Sequence, residues 1–280
     1  LSSRPGSEML TMSREEKGGK LETPARVILS SGTGVIRDPD VSEDGTMVVF
    51  SWKKNKTDDY HLYTMDLTVA NPEATIKQLT FGSGTADFEP KFLANGKIVF
   101  SSSRVIENID CWKVPVSNLY TCDLDGGNMI RLGYDQVHTT YPTVTSDGRV
   151  IYTRWDYNDR NQMYIQGLFQ MQQDGTNQTE LWGNGTGRTT TLLHPREIPG
   201  TNSKYVAIES GHHVWQAGKM VIIDTAKGRN DDEAVTYAFP DDEGIQSGHN
   251  IDNRNQSGPL YRYPYALNDH EFLVSYAPNG

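Results

Sequence analysis

The chain lacks the features that would point to a nucleic acid partner, a membrane span or a covalently bound haem. Its 280 residues include 26 Lys and Arg against 36 Asp and Glu, a formal net charge of −10, whereas phosphate binding needs clustered cations. No apolar run approaches the roughly 20 residues that cross a bilayer, so no transmembrane segment is expected. There are two cysteines and no Cys-x-x-Cys-His motif, so the sequence predicts no c-type haem.

What the chain does contain is an internal repeat. Four similar segments open on an x-Pro pair, with the prolines spaced 51, 52 and 53 residues apart: Asp38-Pro39, Glu89-Pro90, Tyr141-Pro142 and His194-Pro195. In the first three, an Asp-Gly or Asn-Gly turn precedes an apolar strand, and two further strands follow. Four antiparallel strands in roughly 50 residues are typical of a propeller blade. We therefore predict an all-β fold, a β-propeller of four-stranded antiparallel blades.

The two ends of the chain predict half-blades. Residues 7–30 resemble the last two strands of a blade, and residues 263–276 resemble the first two of another. Joined, they would close a ring of five blades and hide the exposed sheet edges; otherwise the chain is part of a larger propeller. The sequence slightly favours a fragment of a longer chain, because it stops directly after a strand. Either way, residues 1–280 are expected to form a single propeller domain.

Longer stretches carry a resemblance to known proteins. The pattern Asp-Pro-x-x-Ser-x-Asp-Gly, an apolar strand and then Leu-Tyr-x-Met-Asp resembles the WD40-like repeats of bacterial periplasmic propellers. Residues 149–157, 199–224 and 263–276 are similar to the propeller domain of the hydrazine synthase alpha-subunit family, with the likeness covering roughly residues 26–276. The resemblance implies the fold and a periplasmic or extracellular location. It does not imply hydrazine synthesis, because the haem-attachment motif of that family is missing here.

The two cysteines, Cys111 and Cys122, lie eleven positions apart, which allows either a disulfide or two free thiols. In an exported protein we expect the disulfide, because the compartment is oxidising. It would brace the long insertion between two strands of the second blade.

Histidines in the later part of the chain are candidate metal ligands. They fall at a blade start or in loops between strands: His194, His212, His213 and His249. If they converge on the axial face, their nitrogens could bind Zn²⁺ or Mn²⁺; the alternative is that they are structural hydrogen-bonding residues. Ca²⁺ binding to the acidic runs 231–233 and 241–243 is less favoured, because neither has the spacing of a calcium loop. No cofactor is certain.

A second set of residues could bind a ligand directly. Arg154, Asp156 and Tyr157 lie in the densest polar and aromatic stretch, and an Arg beside aromatic rings suits an anionic or sugar ligand. Alternatively, Arg154 and Asp156 pair to join adjacent blades, with Trp155 in the core between them. Three further candidates stand at blade starts, where side chains could line the central channel: Arg196, Arg262 and Tyr263.

Two functions from different classes fit these features. The first is an exported binding or assembly module that docks a partner protein, a further propeller segment or a glycan on its axial face. The second is a metal-dependent lyase or hydrolase acting on an anionic carbohydrate, with a metal bound by the histidines. The sequence favours the binding module, because it contains no unambiguous catalytic group, and it leaves open whether the protein is an enzyme.

Overall fold

The computed structural model describes residues 6–11, 25–160, 164–186, 191–239 and 256–279. Within these ranges the regular structure is almost entirely β. The strands are β1 Ser7–Thr11, β2 Arg26–Ser31, β3 Val35–Val41, β4 Met47–Lys53, β5 His61–Asp66, β6 Lys77–Gln78, β7 Asp87–Phe92, β8 Lys97–Ser102, β9 Asn118–Asp123, β10 Ile130–Arg131, β11 Thr139–Val144, β12 Val150–Trp155, β13 Gln166–Met171, β14 Thr179–Trp182, β15 Thr191–Glu197, β16 Lys204–Ser210, β17 Lys219–Asp224, β18 Val235–Phe239, β19 Leu260–Ala266 and β20 Phe272–Ala277. Short 3₁₀ turns occupy Pro72–Thr75, Asn158–Arg160, Thr225–Lys227 and Asp232–Ala234. Among the described residues, no helix is long and apolar enough to cross a membrane.

The strands form four antiparallel meanders and two hairpins. Blades 1 to 4 are β3–β6, β7–β10, β11–β14 and β15–β18, and the hairpins are β1–β2 and β19–β20. A single parallel residue pair, Gln166 with Thr191, also links blade 3 to blade 4. The first strand of each blade contacts the first strand of the next, so these strands surround a common axis. The predicted architecture of four complete blades and two half-blades is confirmed.

Every first strand is interrupted at its x-Pro pair. The pairing register shifts there in all five cases, because proline has no N–H with which to continue the ladder. The residue before each proline has a positive φ between 49° and 58°, which is uncommon outside glycine. These five residues are Asp38, Glu89, Tyr141, His194 and Tyr263.

The hydrophobic core lies between neighbouring blades. Strand β8 shows why: Ile98, Val99 and Phe100 are all fully buried, because both faces of the strand are covered. One face packs with Leu62 and other residues of blade 1, and the other face packs toward blade 3. The apolar runs in the sequence are therefore the inner layers of a stack of sheets.

The predicted disulfide is wrong. Cys122 is buried near the end of β9, and Cys111 is exposed in the loop that precedes this strand; both are free thiols. Cys122 lies four residues beyond the start of β9, which places it about 14 Å along the strand from that loop. A disulfide needs Cα atoms within about 7 Å of each other. Burial raises the pKa of the Cys122 thiol to about 12.

Candidate functional site

A cavity of about 870 Å³ opens at one end of the central axis. It lies on the face where the first strands begin and where loops join the second and third strands of each blade. Two of these loops form its walls: residues 103–117 of blade 2, called here the insertion loop, and residues 211–218 of blade 4, called the histidine loop. A volume of this size is typical of a ligand site.

The insertion loop is an ordered hairpin-like structure. Ile109 N donates to Val114 O at 3.0 Å and Val116 N to Glu107 O at 2.8 Å, while Asn108 and Pro115 form an isolated β-bridge. Val116 is fully buried and fixes the base of the loop. The loop therefore holds its outer residues in defined positions above the axis.

The histidine loop is fixed at its far end by the half-blade that follows. Gly218 and Tyr261 exchange backbone hydrogen bonds of 3.2 and 2.8 Å, and Lys219 Nζ donates to the carbonyls of Ser257 and Pro259. A Cβ at Gly218 would lie 2.0 Å from a backbone carbonyl of β16, so this close approach requires glycine.

Aromatic side chains cover much of the cavity wall. Trp155 is buried and has ring centroids 6.1 Å from His138, 4.7 Å from Tyr157 and 4.9 Å from His212. His212 in turn lies 4.3 Å from the ring of His213. These rings present a rigid, largely apolar surface with polar nitrogens among them.

Two tryptophans stand at the rim. Trp112 of the insertion loop is 73% exposed and Trp215 of the histidine loop is 70% exposed, although both line the cavity. Tryptophan is among the residues most enriched where proteins bind one another. The cavity is thus flanked on two sides by large apolar side chains that are exposed in the described part of the structure.

The cavity floor contains a buried charge cluster. Glu89 accepts hydrogen bonds from Tyr141 N at 2.7 Å and Ser101 Oγ at 2.8 Å, and its other oxygen lies 3.5 Å from Arg37. Arg37 also pairs with Asp38. Burial raises the pKa of Glu89 to about 7; the charge of Asp38 adds to the rise, and that of Arg37 opposes it. One guanidinium here serves two carboxyl groups.

His194 lies in the channel between two tyrosines. Its ring centroid is 4.4 Å from that of Tyr141 and 4.2 Å from that of Tyr263. Burial holds the pKa of His194 well below its ordinary value, and nearby cations, with Arg37 first among them, lower it further. The imidazole is therefore neutral at physiological pH.

The residues singled out from the sequence fall into separate groups. Arg154 pairs with Asp156 at 2.7 Å and with Asp135 at 3.0 Å, as expected if these residues have a structural role. Neither Arg154 nor Asp156 lines the cavity. Tyr157 packs beneath the wall against Trp155.

The remaining candidates occupy the channel and the rim. Arg196 lies 4.8 Å over the ring of Tyr265 in the channel, and Arg262 donates to the carbonyl of Gln216 at 2.6 Å. Tyr263 contacts His194 as described above.

The structure does not bring the candidate metal ligands together. Within the described ranges, no three His, Cys, Asp or Glu side chains are close enough to hold a metal ion. His212 and His213 lie in the cavity wall, whereas His194 lies in the channel; His249 and the acidic run 241–243 lie outside the described residues. The metal site, and the lyase or hydrolase that depends on it, stay predictions.

Several site residues were missed from the sequence. Arg37 and Glu89 form the floor, and Trp112 and Trp215 form the rim. The signal for Glu89 was available, because it precedes a proline as His194 and Tyr263 do. The tryptophans sit in loops without a repeated pattern, so nothing local marked them.

The fold and this axial cavity define the protein as a β-propeller. No family model matches the chain, and no curated protein matches it in sequence. Among solved structures, it is similar to hydrazine synthase of Kuenenia stuttgartiensis, with 19% identity and a TM-score of 0.69 over 91% of this chain and 37% of that one. The chain thus spans little more than a third of the hydrazine synthase chain.

Two further structures share the fold. A chain of the nidogen/laminin complex is 13% identical with a TM-score of 0.57, covering 98% of this chain and 83% of that one. A putative TolB from Agrobacterium tumefaciens is 15% identical with a TM-score of 0.56, covering 79% and 72%. At these identities the likeness shows the fold alone, and membership of the hydrazine synthase alpha-subunit family stays a prediction.

Proposed function

We propose that this propeller is a binding module that takes a segment of a partner protein into its axial cavity. The observation that carries the proposal is the cavity of about 870 Å³ flanked by the exposed side chains of Trp112 and Trp215. Several aromatic or aliphatic side chains of the partner segment would enter the cavity, and the two tryptophans would pack against them. Burying aromatic groups in this way is the usual source of affinity at protein interfaces.

Two further points support this proposal. One structure of the same fold is a complex, nidogen with laminin, although fold-level likeness alone does not transfer a partner. The resemblance noted in the sequence adds that the module works outside the cytoplasm, and cell fractionation with an antibody to the chain tests that location. A glycan is the alternative occupant of the cavity.

Site-specific photo-crosslinking in the native host tests the proposal. A photoreactive amino acid is placed at Trp112, at Trp215 or, as the control, at the exposed Glu43, which lies in a turn on the opposite face. We expect the same protein to be crosslinked from both loop positions and not from position 43. Adducts that are equal at all three positions, or glycan adducts alone, would contradict it.

The identified partner then allows a quantitative test. Trp112→Ala and Trp215→Ala are each expected to weaken its binding by about 30-fold, which corresponds to about 2 kcal/mol for an interface hot spot. Glu43→Ala should leave the affinity unchanged.

A further inference from the structure

A second group of charged residues lies in the channel beyond the cavity floor. The first strands run away from the cavity, and the residue directly after each x-Pro pair lies one step further along the channel. Four of these residues are linked by contact or by charge: Asp40 pairs with Lys91, Arg196 lies over Tyr265, and the charge of Asp40 acts on Arg196. They come from blades 1, 2 and 4 and from the last hairpin. They form a level of their own, called here the lower level.

The charges at the lower level do not balance. Lys91 Nζ lies 3.1 Å from Asp40 Oδ1, and the other oxygen of Asp40 accepts from Phe92 N at 2.9 Å. Both oxygens of Asp40 therefore have donors. In the part of the chain that the structure describes, Arg196 forms no ion pair, and the contact that it makes is with the ring of Tyr265 at 4.8 Å. Asp40 thus pairs with Lys91, and the charge of Arg196 has no carboxylate in contact with it among the described residues.

Burial makes this imbalance costly. The pKa of Lys91 is lowered by burial, with Asp40 opposing the change and the charge of Arg196 adding to it. The charge of Asp38 also opposes it, but Asp38 already pairs with Arg37. The pKa of Arg196 is likewise lowered by burial, and Asp40 opposes the change. Lys91 is buried, whereas Arg196 is only partly buried and keeps some contact with solvent. A guanidinium in this position still lacks the anionic partner that would complement its charge. A chain with a net charge of −10 has nevertheless placed two cations against one carboxylate here.

An oxyanion is the chemical complement of such a site. A planar guanidinium binds carboxylate and phosphate through two parallel N–H donors, and an ammonium adds a third contact. Tyr265 is 49% exposed, so the lower level is open to solvent at this side. Away from bulk solvent, the attraction between these cations and an anion that enters is screened less than at the protein surface.

We propose that the lower level of the channel binds a small oxyanion, a phosphate or a carboxylate, between Arg196 and Lys91. The site is separate from the axial cavity and does not depend on the partner protein proposed above. Its ligand would neutralise the surplus charge and so stabilise the fold.

Thermal unfolding with added anion tests this site. Wild-type protein is titrated with inorganic phosphate or with acetate, and sodium chloride is adjusted to keep the ionic strength constant. We expect a saturable rise in Tm with at least one of the two anions, because a ligand of the folded state stabilises it by mass action. The stronger of the two identifies the anion as a phosphate or a carboxylate.

Variants of opposite sign make the test specific. Arg196→Gln should weaken anion binding about 10-fold or more, since it removes a charge-assisted pair. Asp40→Asn should tighten binding by a similar factor, because it removes the competing carboxylate and keeps an oxygen for Phe92 N. Arg149→Gln is the matched control: it removes a guanidinium paired with Asp147 outside the channel.

The outcomes separate clearly. Weaker binding in Arg196→Gln, tighter binding in Asp40→Asn and no change in Arg149→Gln would support the site. A wild-type Tm that follows chloride and oxyanions equally would overturn it, as would equal affinities in all variants. If Arg196→Gln does not fold, the direction of change in Asp40→Asn decides.

Discussion

Glu89 at the cavity floor gives the fold a specific pH dependence. Burial raises the pKa of Glu89 from its ordinary value of 4.5 to about 7. Between these two values the folded protein holds a proton that the unfolded chain has released. The free energy of unfolding therefore falls as the pH rises through this window. At about 1.4 kcal/mol per pKa unit, the loss amounts to about 3 kcal/mol, most of it between pH 5 and 8.

The Glu89→Gln variant isolates this contribution. Gln keeps an oxygen for the N–H of Tyr141 and the hydroxyl of Ser101, but it has no charge to desolvate. We expect the variant to match the wild type near pH 5 and to be more stable by about 2–3 kcal/mol at pH 8. Urea unfolding at four pH values from 5 to 8 measures the difference.

The control removes the same charge from the surface. The free energy of unfolding of Glu43→Gln should depend on pH as that of the wild type does across the whole range, because Glu43 is exposed. If the difference in free energy of unfolding between Glu89→Gln and the wild type also stays constant with pH, within about 0.5 kcal/mol, then Glu89 is ionised in the folded protein at little cost. The account of one guanidinium shared by two buried carboxyls would then be refuted.

Three other predictions follow from single contacts. In the native protein a maleimide should label Cys111 and leave Cys122 unmodified until denaturant is added, as mass spectrometry would show. A native protein with no labelled thiol would instead indicate that the two cysteines form a disulfide. Arg154→Gln should lower stability by about 1–3 kcal/mol by leaving two half-buried carboxylates unpaired, and it should not change partner binding. Gly126→Ala should cost at least about 2 kcal/mol more than Gly96→Ala in chemical unfolding: both residues have positive φ, but only at Gly126 would a Cβ meet a backbone carbonyl, at 2.1 Å.

The fold could be predicted because each repeat contains turn residues and a proline whose structural effects are local. Each turn with Asp-Gly or Asn-Gly fixes a hairpin, and each proline interrupts a strand at the same place, so spacing alone set the blade boundaries. The cysteines show where this reasoning stops. The eleven positions from Cys111 to Cys122 include part of a loop and most of the buried strand β9. The sequence did not show where this strand begins, and its start is what separates the two cysteines.

The candidate site was predicted in part. Placing His212 and His213 in a loop on the axial face was possible because the loop falls between two recognisable strands. The spacing of the histidines in the sequence does not give their positions along the axis. It therefore could not show whether His212 and His213 converge with His194. Likewise, Arg154 and Asp156 alternate along one strand end, and only the position of Asp135 from the preceding connection shows that they form an ion-pair cluster.

The x-Pro pairs connect the fold to its chemistry. At each x-Pro pair the register shifts and the residue before the proline has a φ between 49° and 58°, whatever its identity. That residue is consequently free to differ from blade to blade, and it does: an Asp, a Glu, two Tyr and a His occupy the five equivalent positions. A repeated fold thus places four kinds of side chain at five equivalent positions around one axis. Side chains positioned in this way change by substitution at the bulge, while the proposed partner contacts would change in the loops above, so the two would vary independently on the same scaffold.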